Sequence, residues 1–379
     1  MFELCLALAL LFLLLAAHPF TLYPLTLALM RKRVLATPAP GWRRPSVAIC
    51  MSAFNEERVI VEKAEALLAM AAAYGPAEIL IYVDGSKDRT AELLRPYQDR
   101  IQLVISSQNQ GKTAGLKMLV ARTQAELLAF TDANVMVPPQ SLLQLVEAVQ
   151  DPEVCAASAR LLYSNARETG ISASGAAYWN IEEYIKARES ETVGMIGVDG
   201  ALFVIERSAY EAPPDELIDD LYVSMTAALT GKRVVSAPTV TVEERSATKL
   251  SEEFRRKARI SCQAINVHRV LWPRIRKAKP EVIYAYLSHR FLKWMTPFTL
   301  SFSGLFLLAA FWIRFGLVAP IAALGLAVLA IAGAALNLPG FRMGGAALIA
   351  LAGVGYGQIE GLLTGRTYTT WTPAPTVRD

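Results

Sequence analysis

A chain of 379 residues that is 53% hydrophobic, with a mean hydropathy of +0.32 and a formal net charge of +4, does not read as a pair of ordinary soluble domains. A membrane helix needs about 20 mostly apolar residues, and residues 4–30, 294–313, 315–341 and 343–359 contain no Asp, Glu, Lys or Arg. The modest positive charge gathers beside these segments, which points to anionic lipid headgroups and away from nucleic acid, and Cys5, Cys50, Cys155 and Cys262 lack the CxxC spacing of a metal site.

The first apolar segment carries Glu3 rather than a basic leading region, and no small-residue cleavage site precedes Arg31-Lys32-Arg33, so residues 1–33 read as a retained anchor rather than a signal peptide. The segment is longer than a bilayer core of about 30 Å requires, and His18-Pro19 or Tyr23-Pro24 is expected to kink or end it. The basic cluster Arg31, Lys32, Arg33, Arg43 and Arg44 places the next part of the chain in the cytoplasm. The expectation is a multi-pass protein of the inner cell membrane.

From Arg43 to about Trp272, short β-rich runs alternate with helical stretches, the mark of α/β units. Strands are expected at 46–51, 78–83, 101–106, 127–131, 154–162, 200–206 and 233–237. Helices are expected at 55–74, 111–122, 139–149, 172–190 and 219–230. Residues 251–272 combine apolar Phe254, Ala258, Ile260, Ile265, Val267 and Leu271 with Arg255, Arg256, Lys257, Arg259 and Arg269. An amphipathic basic helix of this kind fits a membrane interface; an ordinary solvated helix face is the plain alternative. Three spans come next within 294–362, the Gly/Ala-rich 343–359 being either a span or a re-entrant segment, and residues 363–379 form a tail.

Ligands of parallel α/β sheets bind beyond the carboxyl ends of the strands. Three loops of this chain meet that condition: Phe54-Asn55-Glu56-Glu57, Asp84-Gly85-Ser86-Lys87-Asp88, and Asp132-Ala133-Asn134. Asp132 and Asn134 are oxygen donors suited to a hard divalent cation that also holds phosphates, although a strand followed by an Asx turn gives the same letters. Lys112 opens a helix after Gly111, where a lysine beside backbone N–H groups suits a phosphate or simply faces solvent. Adjacent Asp219 and Asp220 repel, which can raise one pKa toward general-base work; one of them serving as a helix N-cap is the structural alternative. There is no GxGxxG and no Walker A motif.

The order of these pieces resembles the inverting family 2 glycosyltransferases of GT-A fold, in the membrane-bound branch of cellulose, chitin, hyaluronan and poly-N-acetylglucosamine synthases. The resemblance runs from about Pro45 to Pro297 and includes Asp84-Gly85-Ser86-Lys87-Asp88, Gly111-Lys112, Thr131-Asp132-Ala133-Asn134, Gly200-Ala201-Leu202-Phe203, Ile218-Asp219-Asp220-Leu221 and Phe254-Arg255-Arg256-Lys257-Ala258-Arg259. It implies an α/β GT-A domain over 43–250, interface helices over 251–293 and a helical membrane region behind them.

The resemblance further implies site roles. Asp220 is the catalytic base, with Asp219 in the Glu position of the ED motif. Phe54, Asn55, Glu56, Asp84, Lys112, Asp132, Asn134, Arg256 and Arg259 bind the nucleotide-sugar donor, and Asp132 and Asn134 hold Mg²⁺ or Mn²⁺. Tyr178, Trp179, Asp199 and Gly200 face a lipid-linked or glycan acceptor, Tyr178 and Trp179 having a core or interface role as the alternative. Three positions depart from the family pattern: Asn134 replaces a carboxylate, Arg256-Lys257-Ala258-Arg259-Ile260 lacks the Gln and Trp of QxxRW, and Lys117 stands where an Asn is expected. The implied activity is transfer of a sugar, UDP-linked, to an acceptor at the membrane. Processive synthesis of a β-linked exopolysaccharide and a non-catalytic protein on the same scaffold are the competing readings.

Overall fold

The computed structural model describes residues 1–370 apart from 166, 167 and 337; residues 371–379 of the expected tail lie outside the described residues. The first apolar segment breaks at the first of its two Pro sites. Helix α1 (Phe2–Ala17) ends in a 3-10 turn, His18–Phe20, and α2 (Leu22–Leu29) comes after it at an angle. Pro19 has no N–H to continue α1, whereas Pro24 falls in the first turn of α2, where a missing donor costs little.

The α/β part comprises β1 (Val47–Ala53), α3 (Ile60–Tyr74), β2 (Ala77–Asp84), α4 (Thr90–Leu94), β3 (Gln102–Ser106), α5 (Lys112–Val120), β4 (Leu127–Thr131), α6 (Ser141–Val149), β5 (Val154–Tyr163), α7 (Gly170–Ser190), β6 (Leu202–Glu206), α8 (Asp219–Ala228) and β7 (Arg233–Glu244). The strands form one sheet in the order β3-β2-β1-β4-β6-β5-β7. Apolar side chains fill both faces, with Ile49, Ile81, Ala129 and Val204 on one and Cys50, Leu80, Phe130 and Phe203 on the other. Burial on two faces explains why these strands read as continuous apolar runs rather than alternating ones.

Two expectations shift for physical reasons. Helix α3 starts at Ile60, not Asn55, because Asn55 adopts φ +55° and the loop it opens is tied to the next one. Its Oδ1 accepts the Lys87 N–H at 2.8 Å, and its own N–H donates to Ser86 Oγ at 3.0 Å. Strand β7 runs to Glu244 rather than stopping at Ala237. Pro238 interrupts the ladder, and the register with β5 jumps from Ala159↔Ala237 to Arg160↔Thr241 before pairing resumes.

One strand direction decides what the sheet can present. β6 runs antiparallel to β4, with Thr131 opposite Leu202. The residues that precede β6 therefore lie at the edge where β4 ends. Strands β5 and β7 run parallel to each other and antiparallel to β6, so the end of β7 arrives at that edge as well. An isolated bridge between Met136 and Glu243 fixes the approach.

After the sheet come α9 (Leu250–Ile275), α10 (Pro280–Ala285), a π-helical turn (Tyr286–Phe291), α11 (Leu292–Phe315), α12 (Val318–Ala335) and α13 (Pro339–Thr364). Among the described residues, four stretches are long and apolar enough to cross a membrane: Phe2–Phe20, Pro280–Phe315, Val318–Ala335 and Gly340–Thr364. The fourth, marginal by composition, is a continuous helix of 26 residues. Gly353, Gly357 and Gly361 lie four apart on one face of α13, and a β-carbon at Gly357 would overlap the Ala258 carbonyl of α9. Small residues at that spacing let the two backbones touch. α1 packs along α11, where Ser303 Oγ donates to the Ala9 carbonyl at 2.8 Å and Phe12 stacks on Phe306.

A buried polar junction locks these helices to the α/β part. His289 sits between Glu189 (2.8 Å) and Glu182 (3.2 Å), and Tyr23 donates to Glu189 at 2.7 Å. Arg290 reaches the carbonyls of Ile196 and Gly197, in the segment that leads to β6. Removing one partner from such a junction leaves a buried charge uncompensated, a cost of about 3–5 kcal/mol.

Candidate active site

Gly111 adopts φ +98° and starts α5, which aims Lys112 at the end of β4. Its ammonium lies 2.7 Å from Asp132 Oδ1 and 3.2 Å from Asp219 Oδ2. Burial works against that charge, but Asp132, Asp219 and Asp220 together hold the Lys112 pKa above the ordinary lysine range. Neither aspartate of the pair caps α8 with its side chain: the N-cap is Ile218, and Asp220 Oδ1 accepts the N–H of Leu221 at 2.6 Å. Burial, then the neighbouring Asp219, pushes Asp220 up to about 7, with Lys112 opposing.

These groups converge on Gly200. A β-carbon there would lie 3.1 Å from Lys112 Nζ, 3.2 Å from Asp132 Oδ2 and 3.3 Å from Asp220 Oδ2. The antiparallel direction of β6 brings this residue to the edge, and its lack of a side chain leaves the space open. The cavity around it has a volume of about 1510 Å³, and Phe54, Glu56, Asp84, Lys112, Asp132 and Asn134 all line it, as do Asp219, Asp220, Arg256 and Arg259.

Directly before α5, Asp84 accepts the N–H groups of Gln110 (2.7 Å) and Gly111 (2.9 Å). Burial raises its pKa, and those two donors counter the rise. Asn55 is the one expected donor-site residue absent from the cavity lining; its side chain ties two loops together instead. On the opposite wall, Arg256 donates to the Tyr163 hydroxyl at 3.0 Å. Burial, with Arg256 beside it, lowers Arg259 to about 10, which leaves it cationic at neutral pH.

The expected acceptor residues Tyr178, Trp179, Asp199 and Gly200 also line the cavity. Trp179 Nε1 donates to the Leu161 carbonyl at 3.0 Å, and the Lys186 ammonium lies 4.6 Å from its ring centre. Lys186 in turn bridges Glu183 and Asp199 at 2.6 Å each.

Several residues escaped the sequence reading. Glu244 at the end of β7 accepts the Asn134 side-chain N–H at 3.0 Å, so a carboxylate stands beside the position where the family motif has one. Burial raises its pKa, against Arg256. Lys63, fully buried on α3, donates to Thr131 Oγ1 (2.9 Å) and to the Val135 carbonyl (2.6 Å), bracing the Asp132 loop from behind. Burial lowers its pKa to about 7, with Asp132 opposing. The chain after α13 returns to the cavity, where Tyr368, Thr369 and Thr370 join the lining and Gln263 Nε2 donates to the Tyr368 carbonyl at 3.1 Å. No local motif marks any of these; Glu244 required the β5–β7 register, and Lys63 looks like one more helix-surface charge.

The donor set suits a divalent cation held jointly with phosphates. No group of three or more His, Cys, Asp or Glu residues capable of holding a metal occurs among the described residues. Asp132, Asn134 and Glu244 supply oxygen atoms on one wall, and Mg²⁺ is usually bound through one or two carboxylates plus substrate phosphates rather than by an all-protein cage.

Comparison with known proteins agrees with this geometry. Residues 48–212 match the family model Glycosyl transferase family 2. A beta-monoglucosyldiacylglycerol synthase of Trichormus variabilis is 28% identical over 174 residues, which is 44% of this chain and 37% of that protein. An N-acetylglucosaminyltransferase of Rhizobium leguminosarum bv. viciae is 25% identical over 200 residues, 51% of this chain and 47% of that protein. The chain thus spans less than half the length of these curated relatives. A mannosyltransferase of Pyrobaculum calidifontis, solved in complex with GDP-Man and Mn2+, superposes with a TM-score of 0.73 at 20% identity and covers 96% of this chain and 100% of its own. The chain thus has a stretch similar to Glycosyl transferase family 2 and a mixed α/β sheet of GT-A type with additional C-terminal helices.

Proposed function

We propose that the protein is an inverting glycosyltransferase that moves a sugar from a nucleotide-sugar donor to an acceptor at the membrane, with its catalytic part on the cytoplasmic side of the cell's inner membrane. The observation that carries this reading is the convergence of Lys112, Asp132 and Asp220 on the open space at Gly200. In this reading Asp84 and the Gly111–Lys112 helix start take the nucleotide, and Asp199 and Trp179, which line the same cavity, face the acceptor. The solved mannosyltransferase holds GDP-Man and Mn2+ on the same fold, and the curated relatives are named as a beta-monoglucosyldiacylglycerol synthase and an N-acetylglucosaminyltransferase, which favours a nucleotide-sugar donor here.

The chemistry stems from the charges. Asp220 takes the proton of the acceptor hydroxyl as that oxygen attacks the anomeric carbon. The bond from that carbon to the diphosphate breaks with its electron pair going to the diphosphate, which departs on the opposite side, so configuration inverts. A base with a pKa near 7 is matched to this task at neutral pH. Lys112 and Arg259 are preorganised cations for the charge that builds on the leaving group, the arrangement that contributes most where charge develops. A divalent cation, Mg²⁺ or Mn²⁺, held by Asp132 and Asn134 with Glu244 behind, would supply Lewis-acid stabilisation of the same diphosphate.

A donor screen with the membrane-inserted protein tests the reading. Nucleoside diphosphate release dependent on one or a few nucleotide sugars, with a product heavier by one sugar, is the expected result. Long polymer from a single donor would instead favour the processive synthase, and no turnover with any nucleotide sugar would remove the transferase reading.

A further inference from the structure

The cavity is larger than a donor requires, and its excess has a different character. Small-molecule sites usually occupy about 300–1,000 Å³, against about 1510 Å³ here. Beyond Trp179 and Tyr178 the wall leaves the sheet and is made by membrane-span helices: Leu13, Ala16 and Ala17 of α1, Leu300 of α11, and Ala347 and Ala350 of α13. Every one of these is apolar, and the alanines leave a slot where larger side chains would close it. The lining reaches Ala346, seven residues before Gly353, the nearest glycine whose β-carbon would meet the α9 backbone. At 1.5 Å per residue the apolar arm extends about 10 Å along α13 beyond that contact. Leu13 and Leu300 line the arm yet remain 48% and 37% exposed, on helices whose Leu10, Leu14 and Leu305 are exposed too. The arm opens onto the surface these spans present to lipid.

Resting on the transferase reading, we propose that this arm is the acceptor site and that its occupant is a bilayer lipid with an uncharged hydroxyl headgroup, entering sideways between α1, α11 and α13 with its hydroxyl at Gly200. The acyl region lies along the alanine slot, exchanging lipid neighbours for equally apolar side chains, and the headgroup passes Tyr178 and Trp179. Two features select a hydroxyl over a lipid phosphate. The cations on the α7/α11 side of the passage are already committed: Lys293 to Glu182 at 2.5 Å, Arg290 to Glu182 at 3.2 Å, and Lys186 to Glu183 and Asp199. A phosphate brought past them would meet three cations balanced by three carboxylates, and Lys257, 4.9 Å from the Tyr178 ring centre, is itself held by Glu253 at 3.5 Å. Second, an ionised phosphate oxygen needs no base, whereas Asp220 faces the space where the nucleophile must sit.

The test uses the full-length protein in phosphatidylcholine vesicles with labelled nucleotide sugar and three acceptors in turn: dioleoylglycerol, undecaprenyl phosphate and soluble chitotetraose. Label in a dioleoylglycerol product stable to mild acid, as a glycoside is, is the expected result. Label only on undecaprenyl phosphate or only on chitotetraose overturns the proposal, as does donor turnover with no lipid product. Absence of any donor turnover would instead sink the transferase reading beneath it. A diazirine-bearing diacylglycerol should label the α13 peptide containing Ala346–Val354, and labelling confined to α12 counts against the arm. Ala350→Trp should raise the KM for the lipid about tenfold or more, with donor affinity by calorimetry reporting on folding. Leu324→Trp, on the lipid-facing surface of α12, is the control for a bulky insertion outside the cavity, and equal effects of the two variants would contradict the proposal.

Discussion

The Lys112 ammonium lies 2.7 Å from Asp132 Oδ1 and so joins the helix after β3 to the loop after β4. A cation supplied by one βα unit is held in place by a carboxylate of another, with Asp219 of a third segment 3.2 Å away. Lys112→Met should therefore lower kcat by on the order of a hundredfold, the usual cost of removing one preorganised donor. Lys112→Arg should recover part of the loss, because the charge returns without the compact geometry. Steady-state kinetics with the identified donor checks both.

Gly200 is kept small by its neighbours rather than by its backbone. The atoms that a β-carbon would approach at 3.1–3.3 Å are the ends of side chains, so they can yield by a few tenths of an ångström without unfolding the protein. Gly200→Ala should reduce kcat/KM about tenfold with little change in Tm, because small misplacements of reacting groups are costly. Gly200→Val should abolish turnover.

The raised pKa of Asp220 predicts an ascending limb in the pH profile of kcat/KM, with activity falling about tenfold per unit below its value of about 7 and levelling above it. The same shift has a stability consequence of fixed sign. The folded state binds the proton more tightly than the unfolded chain, so the contribution is fully present below the ordinary value of 3.8 and is lost as pH rises through about 7. Thermal unfolding of Asp220→Asn should lack that decline.

Chelation should remove activity, and Mg²⁺ or Mn²⁺ should restore it. Glu244 orients Asn134 rather than standing in the family motif, so Glu244→Ala should raise the cation concentration needed for half-maximal activity by about tenfold or more. Titration of turnover against free Mn²⁺ measures the shift. Activity undiminished by EDTA would remove the cation from the mechanism.

On the membrane side, Gly357→Leu should separate α13 from α9, because the obstacle is the Ala258 carbonyl of a helix backbone and cannot turn aside. The expected cost is at least the 1–3 kcal/mol of an overpacked contact, read as loss of thermal stability in detergent.

Much of the candidate site was legible from sequence because each part is local. Asp84, Lys112, Asp132 and the Asp219-Asp220 pair come directly after short apolar runs or open helices, and both patterns are written within a few residues. The features that the sequence did not disclose depend on pairing between distant segments. The antiparallel direction of β6 cannot be inferred from five apolar residues, yet it is what carries Gly200 to the edge. Pro238 made β7 look short, which hid Glu244. The alanines of α1 and α13 read as ordinary span residues until the helices are set side by side, when they become the wall of a cavity. Nothing local marks Lys63, because its partners Thr131 and Val135 lie far from it in the chain.

The most direct test of the catalytic reading is nucleoside diphosphate release by Asp220→Asn beside the unaltered protein, with donor affinity measured on both. The asparagine keeps the shape and removes the base, so kcat should fall at least a hundredfold, donor affinity should stay within about threefold, and the ascending pH limb should vanish. Turnover at the unaltered rate, with the pH limb intact, would contradict the assignment of Asp220 as the group that takes the acceptor's proton.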